Sequence, residues 1–205
     1  MRSAPVLFLV VLIAAGCGGH AASKVAEPPP PSLTSVCGGV PAGLHAQVSW
    51  LETGDGVRLY AASAGSGDRA VVLAHESGGA GLCGWLETMK LLAAHGFRTL
   101  AFDFRGTYPS QIPPARKSLG WRDDLQAALD AAGGKHAALV GASFGGAAAV
   151  AYAPDTADAR RLVRRAGSKD KTVVLYPGTL HGWDILASRP AARQLLLRWL
   201  TQRLR

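Results

Sequence analysis

Cysteine and charged residues are both scarce in this chain, and each shortage excludes a class of protein. Only three cysteines occur among 205 residues, and their spacing does not match that of a metal-binding cluster. Charged residues make up 18% of the sequence, which is too few for a disordered protein or a coiled coil. The hydrophobic fraction of 48% instead suits one globular domain that follows an N-terminal export segment.

A basic groove interspersed with aromatic residues is also missing. The formal net charge of +8 would suit nucleic acid, but the arginines are dispersed or lie near the C-terminus, and the sequence has no recognisable nucleic-acid motif. We therefore expect no nucleic-acid partner. The positive charge is interpreted as solvated helix faces, with attraction to an anionic membrane as a second interpretation.

The hydrophobic run at the N-terminus is too short to span a bilayer comfortably. Residues 6–15 follow the basic Arg2 and have the length of a signal-peptide core. The run ends in Ala-Ala-Gly-Cys at residues 14–17, which resembles the lipobox of bacterial lipoproteins. The resemblance implies a signal peptide over residues 1–16 and a palmitate-carrying anchor at Cys17, on the outer face of the bacterial cell membrane. Cleavage by ordinary signal peptidase would instead give a secreted protein.

Proline is concentrated directly after this segment. Four consecutive prolines occupy residues 28–31, and such a composition is typical of a stiff, extended spacer. We predict the anchor and its tether over residues 17–44 and one folded domain over residues 45–205.

Two cysteines remain once the anchor cysteine is acylated. Cys37 and Cys83 can form one disulfide in an exported protein, because oxidising compartments preserve such bonds. The sequence alone is also compatible with two free, buried thiols.

Beyond residue 45, short apolar runs alternate with helical patterns. The turn at residues 54–56 joins a leading hairpin, and strand and helix patterns then alternate. This order is typical of an α/β fold in which helices flank a mostly parallel sheet. Ligands of such folds bind at the carboxyl ends of the strands, where His75, Asp103 and Ser143 lie. The predicted strands are residues 47–51, 58–62, 70–74, 97–102, 136–140 and 172–176, and the predicted helices are residues 84–95, 120–132, 146–151 and 155–165.

A Gly-x-Ser-x-Gly pentapeptide occupies residues 141–145, between an apolar segment and a run of small residues. A strand, a sharp turn and a helix would place the Ser143 hydroxyl at the tip of a strained turn. The two glycines are needed there because side chains would collide with neighbouring backbone. The pattern predicts a nucleophilic serine, and an incidental glycine-rich turn is the alternative.

Four motifs make the chain resemble the α/β-hydrolases, especially the small dienelactone-hydrolase-like and esterase-like members. They are residues 74–79, 102–106, 141–145 and 178–182, and the resemblance covers about residues 45–205. It implies a serine hydrolase that cleaves an ester or related small acyl compound through an acyl-enzyme. It implies neither a metal nor an organic cofactor. We further expect a monomer.

The same resemblance assigns the catalytic triad. Ser143 needs a base, and His181 follows a strand late in the chain, in the family's order of serine, acid and histidine. The acid would come from the interval between them, from Asp155, Asp158 or Asp170. Asp170 precedes a strand and so lies at the wrong end of the sheet. We choose Asp155, which follows Ala-Pro and precedes a helix, with a helix cap as its alternative role.

Two backbone N–H groups would form the oxyanion hole. One belongs to Phe144, directly after the nucleophile, and the other to the loop after His75, where we choose Ser77. His75 would shape this loop. Glu76 stands where many relatives have glycine, and it places a carboxylate near the site.

The chain between nucleophile and acid is short. Asp155 follows Ser143 by only twelve positions, whereas the family normally places further strand–helix units there. The fold is therefore expected to be shortened after the nucleophile's helix. The alternative function is that of a catalytically inactive, truncated hydrolase scaffold that acts as a surface binding lipoprotein.

Overall fold

The computed structural model describes residues 28–117, 119–133, 137–152 and 180–204. In these ranges the strands are β1 (Ala46–Glu52), β2 (Arg58–Ala64), β3 (Arg69–Ala74), β4 (Phe97–Phe102) and β5 (Ala137–Gly141). The α-helices are α1 (Leu33–Cys37), α2 (Leu86–Ala94), α3 (Trp121–Ala131), α4 (Phe144–Tyr152), α5 (Asp184–Ser188) and α6 (Pro190–Arg203). Short 3-10 helices span Gly81–Trp85 and Ala115–Lys117. The predicted helix 155–165 and strand 172–176 lie outside the described residues.

The strands form one mixed sheet in the order β1-β2-β4-β3-β5. β2 pairs antiparallel with β1 and β4, whereas β3 pairs parallel with β4 and β5. The register aligns Ala74 with Phe102 on one side and with Gly141 on the other. The carboxyl ends of the three parallel strands therefore meet at one edge of the sheet. The predicted α/β fold is confirmed, with parallel pairing confined to these three strands.

The central strand β3 is buried on both faces. Its side chains alternate, so that Val71 and Leu73 enter one core and Val72 and Ala74 enter the other. The first core includes residues of α2 and α6, and the second includes residues of α3 and α4. A continuous apolar run is what a parallel strand covered by helices on both faces requires.

The segment before β1 packs against the domain. Ser32 caps α1, its hydroxyl accepting a hydrogen bond from the Ser35 N–H. Leu33 and Leu44 are buried in the first core, and the Tyr60 hydroxyl donates to the Pro31 carbonyl at 2.8 Å. The expectation of an extended spacer is therefore wrong for residues 33–37, because burial of Leu33 favours a helix over a solvated chain.

A disulfide joins Cys37, at the end of α1, to Cys83 in the first 3-10 helix. This settles the choice between a disulfide and two free thiols. The predicted signal peptide (residues 1–16) and the predicted anchor residue Cys17 lie outside the described residues. None of the helices described combines the length and the apolar composition that a membrane crossing requires.

Candidate active site

Ser143 lies on a strained turn between β5 and α4. Its φ is +46°, and it is the one non-glycine residue with positive φ in the described part of the chain. A Cβ on Gly141 would overlap the Gly145 backbone, and a Cβ on Gly145 would overlap the Ala74 carbonyl oxygen. The expected strand, turn and helix are therefore present, and both glycines are required by sterics.

The turn is held by the sheet on one side and by α4 on the other. The Ala142 N–H donates to the Ala74 carbonyl at 3.1 Å, and the Ser143 carbonyl accepts the first bond of α4 from the Ala147 N–H at 2.9 Å. The Ser143 side chain is exposed. The Phe144 N–H lies in the first turn of α4, where backbone N–H groups have no acceptor within the helix and the helix dipole favours negative charge.

His75 is committed to the structure of its own loop. Its Nε2 accepts a hydrogen bond from the Phe104 N–H at 3.0 Å, and its Nδ1 donates to the Glu76 carbonyl oxygen at 2.5 Å. These partners assign the neutral tautomer with the proton on Nδ1. Burial lowers the pKa of His75, and only 2% of the residue is exposed. With both ring nitrogens engaged, His75 cannot serve as the base for Ser143.

The peptide between Glu76 and Ser77 is oriented by the same contact. Its carbonyl points at the His75 ring, and in a trans peptide the N–H points the opposite way. The Ser77 N–H is thereby directed away from the buried histidine. Ser77 itself is exposed at the carboxyl edge of the sheet.

Asp103 lies between His75 and the 3-10 helix that follows the His75 loop. Its Oδ1 accepts a hydrogen bond from the Leu82 N–H at 2.6 Å and lies 3.8 Å from His75 Nε2. Burial raises the pKa of Asp103 to about 7. A Cβ on Gly81 would overlap the Asp103 carboxylate, so the 3-10 helix can approach this closely only with glycine at that position.

Arg105 serves the scaffold rather than the site. Its guanidinium donates to the carboxylates of Asp55, in the β1–β2 turn, and Asp124, in α3. The hydrogen bond from Arg105 lowers the pKa of Asp55 to about 2, whereas burial raises that of Asp124. The aspartate–arginine–glycine element at residues 103–106 thus has a structural role in this chain.

The His181 loop approaches the turn at residues 141–145, hereafter the elbow, through Gly182. Gly182 has a φ of +57°, and a Cβ there would lie 3.5 Å from the Ala142 Cβ and would overlap the Glu76 carboxylate. His181 is exposed. In the part of the chain described, the hydrogen bonds of the site include none between the Ser143 and His181 side chains. The fold therefore brings the two loops together, but the Ser143 and His181 side chains are not hydrogen-bonded to each other.

The contacts of Glu76 could not be predicted from the sequence. It is half-buried, and its Oε2 atom is buried without a hydrogen-bond partner among the described residues. The one sequence signal was the replacement of a glycine in the His75 loop. The acid candidates Asp155, Asp158 and Asp170 lie outside the described residues, so their placement stays a prediction.

An apolar cavity of about 380 Å³ adjoins the elbow. Its wall includes Gly141, Ala142 and Gly182, and the indole rings of Trp85 and Trp199. In the described ranges, no group of three or more histidine, cysteine, aspartate or glutamate side chains could hold a metal ion.

Comparison with known proteins places these features in a family. The family described as having the α/β hydrolase fold matches residues 70–185, from β3 to α5. Among solved structures, the chain is similar to an epoxide hydrolase from an endophytic Streptomyces, with 30% identity, 53% of this chain and 33% of that chain covered, and a TM-score of 0.48. Epoxide hydrolase A from Mycobacterium thermoresistibile gives 31% identity, 53% and 35% coverage and a TM-score of 0.48. An esterase from Exiguobacterium antarcticum gives 23% identity, 52% and 39% coverage and a TM-score of 0.47. The chain thus spans 33% to 39% of the length of these three structures.

Proposed function

Because the chain belongs to the α/β hydrolase fold family, we propose that it is a serine hydrolase that cleaves an ester or related acyl compound. The observation that carries the proposal is Ser143, an exposed serine held at positive φ between β5 and α4. Strain of this kind persists only where the surroundings enforce it, and it is concentrated at functional sites. The dienelactone-hydrolase-like subtype stays a prediction.

In the proposed reaction, Ser143 Oγ attacks the acyl carbon while His181 takes the hydroxyl proton. The alcohol leaves with that proton, and water then attacks the acyl-enzyme to release the acid and the free serine. The position of Gly182 supports this assignment, since a Cβ there would lie 3.5 Å from the Ala142 Cβ, and the two residues are the chain neighbours of His181 and Ser143. Closure of the pair on substrate binding would complete the geometry, because such hydrogen bonds are often long without substrate.

The oxyanion would be bound by the N–H groups of Phe144 and Ser77. The Phe144 N–H is at the start of α4, and the Ser77 N–H points away from the His75 ring. Both are backbone donors fixed before the reaction, which is the property that makes an oxyanion hole effective. Asp155 stays our prediction for the acid of the triad.

Covalent labelling tests the proposal directly. We expect a fluorophosphonate probe to label the folded wild-type protein, and Ser143→Ala to abolish labelling. Ser66→Ala is the matched control, because Ser66 is an exposed serine between β2 and β3, at the opposite edge of the sheet. Folded wild-type protein that stays unlabelled would sink the proposal, as would labelling that persists without Ser143.

A non-catalytic binding scaffold is the second candidate function. It is favoured by the missing hydrogen bond between the Ser143 and His181 side chains in the described residues and by the short interval before Asp155. This candidate predicts that the wild-type protein and Ser143→Ala are equally inert toward the probe.

The proposed location is the outer face of the bacterial cell membrane, through a lipid on Cys17. The support is the Ala-Ala-Gly-Cys sequence at residues 14–17 after a short apolar run. Metabolic labelling with an alkyne-bearing palmitate should mark the wild-type protein and not Cys17→Ser. A secreted, unlabelled wild-type protein would instead indicate cleavage by ordinary signal peptidase.

A further inference from the structure

We propose that Glu76 is the positioning residue for His181, its carboxylate accepting a hydrogen bond from the imidazole N–H and holding the ring toward Ser143. This inference rests on the proposed function, in which His181 is the base, and it gives Glu76 the place at the second imidazole nitrogen that the sequence predicts for Asp155. It gives a role to a carboxylate that occupies the loop between β3 and the first 3-10 helix.

The first observation is the state of the carboxylate. Glu76 Oε2 is buried and has no hydrogen-bond partner among the described residues. A buried carboxylate oxygen without a donor is unfavourable, because it has lost its water and gained nothing in return. A donor within reach would therefore be bound firmly, and the proton on that donor would be retained more strongly.

The second observation is what the carboxylate touches. It occupies the space that a side chain at position 182 would need, so it lies against the backbone directly after His181. Gly182 has positive φ and no side chain, and both features allow this approach. The same Cβ would lie 3.5 Å from the Ala142 Cβ, which belongs to the residue before Ser143. Glu76 and the residue before Ser143 thus both lie near the His181 loop.

Three of the neighbouring N–H donors already have acceptors. The His75 Nδ1–H donates to the Glu76 carbonyl, the Leu82 N–H to Asp103, and the Phe104 N–H to His75. The indole N–H groups of Trp183 and Trp85 are also buried without a hydrogen-bond partner among the described residues. His181 directly precedes the glycine that the carboxylate touches, and it is the donor that would also connect Glu76 to Ser143.

The chemistry follows from this pairing. When His181 takes the Ser143 proton, it becomes an imidazolium, and a carboxylate at its second nitrogen stabilises that charge without taking the proton itself. The other titratable groups around the loop are the buried His75 and Asp103, and Asp184 in the first turn of α5. Asp184 is therefore the natural control, since it is a second carboxylate next to His181 in the chain.

The experiment uses the full-length protein in detergent, in four forms: wild type, Glu76→Gln, Asp184→Asn and Asp155→Asn. The ring-nitrogen shifts of His181 are recorded by NMR with labelled histidine and assigned by their loss in His181→Asn. Hydrolysis of p-nitrophenyl acetate is followed over pH. We expect Glu76→Gln to change the His181 ring-nitrogen shifts and to lower kcat by about 100-fold, with KM changed by less than about threefold. Asp184→Asn should leave the shifts and kcat near their wild-type values.

The outcomes separate this inference from the proposed function. Unchanged His181 ring-nitrogen shifts in Glu76→Gln overturn the inference, whatever the enzyme does. Loss of kcat in Asp155→Asn with full activity in Glu76→Gln also overturns it and assigns the acid to Asp155. His181 ring-nitrogen shifts that change in Glu76→Gln, in a protein whose wild type neither hydrolyses ester nor reacts with fluorophosphonate, keep the Glu76 contact and reject the hydrolase function.

Discussion

The residues of the elbow tolerate few substitutions. Ser143 holds a φ of +46°, and it can do so because Gly141 and Gly145 let the two arms of the turn approach each other. The strain is offset by the hydrogen bonds of Ala142 to β3 and of Ala147 to the Ser143 carbonyl. A strained serine held by both neighbours is pre-positioned before any substrate arrives.

Gly145→Ala tests this restraint. The new Cβ would overlap the Ala74 carbonyl, so we expect a loss of about 3 kcal/mol or more in the free energy of unfolding, and loss of fluorophosphonate labelling. Urea denaturation measures the first effect. The matched control is Gly39→Ala, where a Cβ meets nothing within 4 Å, and it should change stability by less than about 1 kcal/mol. Equal stability of the two variants would contradict this account of the elbow.

Asp103 should make stability depend on pH. Its pKa is about 7 in the folded protein against 3.8 ordinarily, so the folded state binds the proton more firmly. The resulting stabilisation is complete below about pH 4 and is lost as the pH rises through 7. Asp103→Asn keeps an acceptor for the Leu82 N–H but cannot ionise.

Between pH 4 and pH 8, we therefore expect wild type to lose up to about 4 kcal/mol relative to Asp103→Asn, at about 1.4 kcal/mol per pKa unit. Urea unfolding of both proteins at the two pH values measures the difference. A difference that does not change with pH would refute the raised pKa of Asp103.

At the scale of elements, the 3-10 helix Gly81–Trp85 connects the site to the N-terminal segment. Its Leu82 N–H binds Asp103, its Cys83 is bonded to Cys37 of α1, and its Trp85 is buried in the first core. This helix follows the Glu76 and Ser77 loop directly. We therefore expect loss of the disulfide to disturb the loop that carries Ser77, a proposed donor of the oxyanion hole.

The Cys37→Ala/Cys83→Ala variant should be less stable by about 4 kcal/mol, since the bond closes a loop with a sequence separation of 46 residues. Chemical denaturation of the variant, and of wild type with and without reductant, measures the loss. Reduced wild type should match the variant. A reduced protein as stable as the oxidised one would show that packing of α1, and not the bond, holds this segment.

At the scale of the whole molecule, one buried arginine joins three separate parts of the chain. The Arg105 guanidinium binds Asp55 in the hairpin turn and Asp124 in α3, and it donates to the Lys117 carbonyl in the second 3-10 helix. Asp124 is fully buried, so its charge depends on this partner.

Arg105→Ala should lower the free energy of unfolding by about 3–5 kcal/mol, because it leaves the Asp124 charge buried and unpaired. Arg105→Ala/Asp124→Ala should recover part of that loss, since the double variant removes the stranded charge as well. Thermal and urea unfolding of the two variants measure both effects. A double variant no more stable than Arg105→Ala would contradict the ion-pair explanation.

The sequence by itself determined the alternation of strands and helices and the elbow. Local geometry depends only on near neighbours in the chain. It can therefore be predicted from apolar runs such as residues 70–74 and from the glycines around Ser143. The tertiary structure decided what distant residues do together. The disulfide required α1 to pack beside the 3-10 helix, and the engagement of His75 required β4 next to β3. The contact of Glu76 with Gly182 likewise depends on two loops that are far apart in sequence, which no local pattern encodes.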